Sequence, residues 1–178
     1  MKIKVGELQF RPFITKEKIV ERVAALGEQI SKDYEGKRPL FLGVLNGSFI
    51  FAADLFRTIT TDAEISFIKL ASYKGTTSTG NVITAIGLEE NLHDRHIILV
   101  EDIIDTGKTL SSFMPDLLSR GPASVKIATF LTKPEALKYD IKADYCAFEI
   151  ENKFVVGYGL DYDGYGRNIP ELYILDTQ

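Results

Sequence analysis

IILVEDIIDTGKTL, residues 97–110, changes character twice along its length. With His96 before it, the apolar run predicts a buried strand of parallel type over His96–Val100. The strand ends in two acids, Glu101 and Asp102. After Asp105-Thr106-Gly107-Lys108-Thr109 the pattern turns helical through Leu118, and Gly121-Pro122 stops it. Strand, polar turn and helix make the repeating unit of open α/β sheets, where ligands bind just beyond the carboxyl ends of the strands.

Working outward, the same alternation recurs. Ile19, Val20, Val23, Leu26 and Ile30 lie at helical spacing over Thr15–Tyr34, with Thr15 as N-cap and Gly36 as stop. Pro39–Leu45 reads as a buried strand, Asn46-Gly47-Ser48 as a turn, and Phe49–Ile59 as a helix with Phe49, Ala52, Ala53 and Phe56 on one side. Ala63–Leu70 and Val82–Gly87 read as strands around a polar, Gly-rich loop from Ser72 to Asn81. Further strands are expected at Ser124–Leu131, Tyr145–Ile150, Lys153–Tyr158 and Glu171–Leu175. The alternation predicts an α/β fold, a mostly parallel sheet with helices on both faces. The aromatic, strand-rich C-terminal part is expected to form a smaller cap beside it.

Bulk properties narrow the function classes. The chain has 178 residues, 45% hydrophobic and 26% charged, enough for one ordinary domain with a full core. A net charge of −4 argues against a protein built to coat nucleic acid. No segment reads as a signal peptide or approaches the roughly 20 apolar residues of a membrane helix. Cys146 is the only cysteine, which excludes an intrachain disulfide and suits a reducing cytoplasm. His93 and His96 lack the Cys or carboxylate neighbours of a zinc site.

The 105–109 turn carries chemistry. Its backbone N–H groups and two threonine hydroxyls, placed at a helix N-terminus, suit a phosphate monoester, and Gly107 lets the backbone approach the anion closely. The Gly-Lys-Thr triplet does not make a Walker A loop, because Asp102 stands where that motif requires glycine. Adjacent Glu101 and Asp102 cannot both point into a core. At least one is available to a sugar diol or to Mg²⁺ through water.

The stretch VEDIIDTGKTL resembles the phosphoribosyl-pyrophosphate-binding motif of type I phosphoribosyltransferases, in its hypoxanthine(-guanine) version. The resemblance implies one domain over residues 1–178, a mostly parallel twisted sheet flanked by helices, with a small hood formed by N- and C-terminal segments. It implies Mg²⁺-dependent transfer of a 5-phosphoribosyl group from phosphoribosyl pyrophosphate to hypoxanthine, and to guanine, giving IMP or GMP and pyrophosphate. It also implies a cytoplasmic homodimer or homotetramer with small-molecule substrates, no nucleic acid and no membrane.

By the same resemblance, Glu101 and Asp102 address the ribose hydroxyls and Asp105 is the acid or base at purine N7. Thr106, Gly107, Lys108 and Thr109 cradle the 5′-phosphate. Asn46 and Gly47 form the pyrophosphate loop with Arg167, and Asn46 departs from the lysine usual there. Ser72 and Tyr73, with Ser78-Thr79-Gly80, match a flexible loop that closes over the site. Lys133 would bind purine O6, Phe154 would stack on the base and backbone at Val155 would read its edge. Asp161 belongs to the base site and, with Glu101 and Asp102, to the metal site.

Each role has a plainer alternative. Asp105 could be a helix N-cap, Lys133 a surface lysine, Phe154 a core residue, and Asp161 and Arg167 a surface ion pair. Three other readings compete as well. An adenine or xanthine enzyme of the same superfamily is disfavoured, for adenine, by Lys133. An RNA-binding relative is disfavoured by the absence of basic excess. A receiver-type signalling domain fits poorly with the length and the hydroxyl-rich loop.

Overall fold

The computed structural model describes residues 1–73 and 82–177. Among these residues ten strands and three α-helices run in the order β1 (Ile3–Val5), β2 (Leu8–Ile14), α1 (Lys16–Asp33), β3 (Leu40–Leu45), α2 (Phe49–Phe56), β4 (Glu64–Tyr73) and β5 (Val82–Ile86). There follow β6 (His96–Ile104), α3 (Lys108–Ser119), β7 (Ser124–Thr132), β8 (Tyr145–Glu149), β9 (Val155–Val156) and β10 (Leu172–Leu175).

The main sheet has six strands in the order β5-β4-β3-β6-β7-β8. All but β5 are parallel, and β5 is the antiparallel edge against β4. Central strands covered on both faces must be apolar throughout, and β3 and the first part of β6 are. On one face α1 sets Ile19, Val23, Leu26 and Ile30, and α2 sets Phe51 and Leu55, against Ile98, Val100 and Phe130. On the other, Leu110, Phe113 and Leu117 of α3 meet Leu40, Leu42, Ile97 and Leu99. Each such fully buried side chain contributes about 1.5–3 kcal/mol, so this two-sided core, rather than helix propensity, holds the sheet.

The hood is a four-stranded antiparallel sheet in the order β1-β2-β10-β9. Val5, Phe10, Val156 and Tyr173 form its small core. The terminal segments thus build it together, as the family resemblance implies. Residue patterning alone assigned no element to Met1–Ile14, because β2 carries Arg11 and Pro12 in its middle and its alternation is broken. The predicted strand over Lys153–Tyr158 shrinks to Val155–Val156.

Other expectations shift. α2 ends at Phe56 rather than Ile59, where Thr58 turns back to donate to the Leu55 carbonyl at 2.6 Å. Its buried face is Phe51, Ala52 and Leu55, while Phe49 is 42% exposed and Ala53 lies in solvent. A helix that is apolar nearly all round gives periodicity little to resolve. Strand β6 continues past Val100 to Ile104, because Glu101, Ile103 and Ile104 keep pairing with Thr129, Leu131 and Thr132 of β7. Ser72 and Tyr73, expected in a loop, belong to β4, where they pair with Ile83 and Val82 of β5. Residues 74–81, including Ser78-Thr79-Gly80, lie outside the described residues.

Candidate active site

At the carboxyl ends of β3 and β6, Val44, Leu45, Leu70 and the run from Glu101 to Leu110 surround a cavity of about 250 Å³. Gly107 is the N-cap of α3, in a left-handed conformation with φ 81°. An added Cβ there would press on Leu137 at 3.1 Å, so glycine serves both the turn and the packing beneath it. The turn is clasped from outside. The N–H groups of Lys138 and Tyr139 both donate to the Thr106 carbonyl, at 2.9 and 3.3 Å. Inside it, the Lys108 N–H donates to Thr106 Oγ1 at 3.3 Å. The first turn of α3 bears no acid, which leaves its N–H groups to an anion.

Strand alternation separates the two acids. Glu101 is buried and Asp102 half-buried. Burial holds the Glu101 carboxyl well above the usual glutamate range, and the Asp102 charge adds to it. Burial raises Asp102 too. The Ile103 N–H, which donates to its Oδ1 at 2.7 Å, and the Arg167 charge act against that rise, and Asp161 acts with it.

Asp105 does not cap α3, since Gly107 holds that position. Its Oδ2 accepts from Lys133 Nζ at 3.2 Å. Lys133 is no surface lysine. It is only 7% exposed, placed where β7 runs out, with its own N–H on the Ile104 carbonyl at 3.0 Å. A buried ammonium requires such a partner.

The loop after β3 closes the site from the other side. The Leu45–Asn46 peptide is cis. A Cβ on Gly47 would fall 1.5 Å from Asp102 Oδ2, and one on Gly159 would fall 2.2 Å from the Gly47 carbonyl oxygen. The Asp102 carboxylate therefore lies against Gly47, and the Gly47 carbonyl against Gly159, so that only glycine fits at either position. Ser48 next to Gly47 is fully buried, its hydroxyl without a hydrogen-bond partner among the described residues.

Asp161 and Arg167 pair at 2.7 Å, as the plainer reading of these residues had it. The second Asp161 oxygen accepts from the Gly164 N–H at 2.7 Å, and Arg167 also donates to the Gly159 carbonyl at 2.7 Å. Phe154 is 42% exposed, its ring centroid 6.1 Å from Phe10 and 5.9 Å, edge-on, from Tyr162. Val155 is buried in β9 against Ile174 of β10.

The structure thus joins Asp105 to Lys133, Asp102 to Gly47, Gly47 to Gly159, and Asp161 to Arg167. It sets Phe154 among the rings of the hood and Ser72 and Tyr73 on β4. Sequence reasoning missed the Thr106 clasp and the Gly159–Gly47 contact. The alternation Gly157-Tyr158-Gly159 was the available signal for a sharply bent backbone.

Among the described residues no group of three or more His, Cys, Asp or Glu forms a metal cage. The donor set still suits Mg²⁺. That ion is usually held by one or two carboxylates together with substrate phosphates, and a cation would relieve the crowding of Glu101 with Asp102.

The family model described as phosphoribosyl transferase domain matches residues 14–163. The hypoxanthine-guanine phosphoribosyltransferase of Streptococcus pneumoniae (strain ATCC BAA-255 / R6) is 44% identical over 93% of this chain and 92% of its own. That of Lactococcus lactis subsp. lactis (strain IL1403) is 45% identical over 93% and 90%. Among solved structures, a hypoxanthine phosphoribosyltransferase of Staphylococcus aureus superposes with TM-score 0.87 at 38% identity, covering 93% of this chain and 91% of that one. A hypoxanthine-guanine phosphoribosyltransferase of Bacillus anthracis gives 0.83 at 37%, covering 94% and 97%. With an acid-bearing strand, a phosphate-type turn and a glycine contact around one cavity, and with these relatives along nearly its whole length, the chain belongs to the phosphoribosyl transferase family, in its hypoxanthine-guanine branch.

Proposed function

We propose that the chain transfers the 5-phosphoribosyl group of phosphoribosyl pyrophosphate to hypoxanthine and guanine, with Mg²⁺, giving IMP or GMP and pyrophosphate in purine salvage. The observation that carries the reading is the bond between Asp105 and buried Lys133 beside the 106–109 turn. It pairs a proton acceptor that lines the cavity with a buried cation beside it.

In this reading Thr106, Gly107, Lys108 and Thr109 hold the 5′-phosphate by backbone N–H groups and hydroxyls. Glu101 and Asp102 accept from the ribose 2′- and 3′-hydroxyls. The loop at Asn46 and Gly47 offers backbone to the pyrophosphate. Asn46 brings no charge there, so Arg167, aimed by Asp161 and the Gly159 carbonyl, supplies the cation. Mg²⁺, when bound, neutralises charge on the leaving pyrophosphate, with Asp161, Glu101 and Asp102 as the available carboxylates. Lys133 donates to purine O6 and thereby selects 6-oxopurines over adenine, whose exocyclic amine would meet a donor with a donor. Phe154 lends an exposed ring face to the base, and Val155 reads the base edge through its backbone. Asp105 takes the proton from N7 as N9 bonds to C1 of the ribose and the bond to pyrophosphate breaks.

Phosphoribosyl pyrophosphate, Mg²⁺ and each of hypoxanthine, guanine, xanthine and adenine, followed by ultraviolet absorbance, test this directly. Nucleotide from hypoxanthine and guanine alone is expected, and excess chelator is expected to abolish it. Product from adenine would overturn the role of Lys133. Absence of product with every base would overturn the transfer reading and favour a binding or regulatory protein.

A further inference from the structure

We propose that Tyr158 and Asp54 form a positioning pair that seats the pyrophosphate loop against the 155–161 segment. The inference rests on the phosphoribosyl-transfer reading above. Tyr158 has φ 48°, a left-handed conformation that a bulky residue keeps only where its surroundings over-determine it. Its phenol donates to Asp54 Oδ2 of α2 at 2.7 Å, and its ring lies 4.6 Å, centroid to centroid, from Phe130 in the core. Tyr158 is buried and Asp54 only half so. Burial, and then the bond to Asp54, hold the phenol above its ordinary value.

The pair spans the two segments that meet at Gly47. Helix α2 begins directly after Asn46-Gly47-Ser48, and Gly159 follows Tyr158. The contact of Gly159 with the Gly47 carbonyl involves no side chain of either residue. Having little attraction of its own, it keeps its place only if something else fixes the two segments. The bond between Tyr158 and Asp54 does so. The base-reading end of the segment has a separate anchor, since Val155 and Val156 pair with Ile174 and Tyr173 of β10. Loss of the bond is therefore felt on the pyrophosphate side. Ile19, Val20, Ile50 and Pro170 help to line a cavity of about 190 Å³ beside the pair, so a ring without its bond has room to move.

The test compares Tyr158→Phe, Asp54→Leu and Asp54→Asn with the unaltered full-length chain. It measures kcat, KM for each substrate, and calorimetric binding of magnesium pyrophosphate. The Phe and Leu variants are expected to raise KM for phosphoribosyl pyrophosphate and Kd for pyrophosphate about tenfold, with purine KM within about twofold. Asp54→Asn, whose amide oxygen still accepts, is expected to stay within about twofold of the parent. Unchanged pyrophosphate and phosphoribosyl pyrophosphate constants in folded Tyr158→Phe would overturn the pair. So would equal weakening of both substrates, or a Tyr158→Phe chain that does not fold, since each marks a merely structural role. If the parent turns over no purine but binds pyrophosphate, and Tyr158→Phe weakens that binding tenfold, the transfer reading fails and the pair stands. If the parent is active and Tyr158→Phe binds as it does, the reverse holds. A parent that binds no pyrophosphate overturns both.

Discussion

The two ends of the parallel strands treat their charges in opposite ways. At the amino ends Asp144, Asp33 and Glu64 each have a partner. Asp144 accepts from Lys126 at 2.8 Å and from the Ile127 N–H at 2.9 Å. Asp33 accepts from Tyr145 at 2.8 Å and Glu64 from Arg95 at 2.9 Å. His96 Nδ1 and Ser124 Oγ are 2.7 Å apart. At the carboxyl ends the consecutive acids Glu101 and Asp102 are both pushed upward by burial and, for Glu101, by its neighbour's charge. One end is electrostatically settled and serves the fold. The other keeps an unbalanced pair that a diol, a cation or both would complete, which is how binding sites commonly differ from structural ion pairs.

The largest effect expected from that contrast belongs to Asp105→Ala. Removing the proton acceptor should lower kcat by about 10²–10⁴-fold with KM changed far less. Steady-state kinetics beside Thr109→Ala check this, and an equal loss of kcat in the threonine variant would take Asp105 out of the chemistry. Lys133→Gln comes next. It removes a buried cation from Asp105 and should cost about 1.5–3 kcal/mol of 6-oxopurine discrimination, read as the ratio of kcat/KM for hypoxanthine to that for adenine. An unchanged ratio would remove Lys133 from the base site.

Glu101→Gln should separate stability from function. Because the folded carboxyl lies above the unfolded value of 4.5, its protonated form favours the fold. That contribution is complete below 4.5 and is lost as pH rises through the raised folded value. At pH 7 the ligand-free Gln variant should therefore be more stable than the parent while binding phosphoribosyl pyrophosphate less well. The stability difference should shrink on acidification, as thermal melts from pH 4.5 to 8 would show. A less stable variant at neutral pH would mean that Glu101 is satisfied after all and would break the contrast between the two ends. The smallest effect is expected at the amino ends. Lys126→Ala, in a largely solvated pair, should cost about 0.2–1 kcal/mol of stability with kcat and KM unchanged.

How much was legible beforehand depended on the range of the interaction. The span of α1 followed from five apolar residues at helical spacing and a threonine cap, and Thr15 does accept from the Lys18 N–H, at 3.5 Å. The mostly parallel sheet with helices on both faces followed from alternation of elements, while its order of six strands came only with the structure. The hood strand β2 escaped residue patterning because Arg11 and Pro12 break its period. The buried face of α2 was misplaced because Phe49, Ile50, Phe51 and Phe56 are equally apolar, and packing against Phe130 alone selects Phe51.

By itself, the order of residues determined the strand–turn–helix of Ile97–Leu110, its paired acids and its hydroxyl-rich turn, because periodicity and turn chemistry act within a few residues. Tertiary structure alone decided that Glu101 would be the buried acid, and that Lys133 would meet Asp105 across 28 positions and Tyr158 would meet Asp54 across 104. A side chain's identity says what it can bond. Which group stands opposite is set by strand order, by the reach of neighbouring segments and by how much water each is denied.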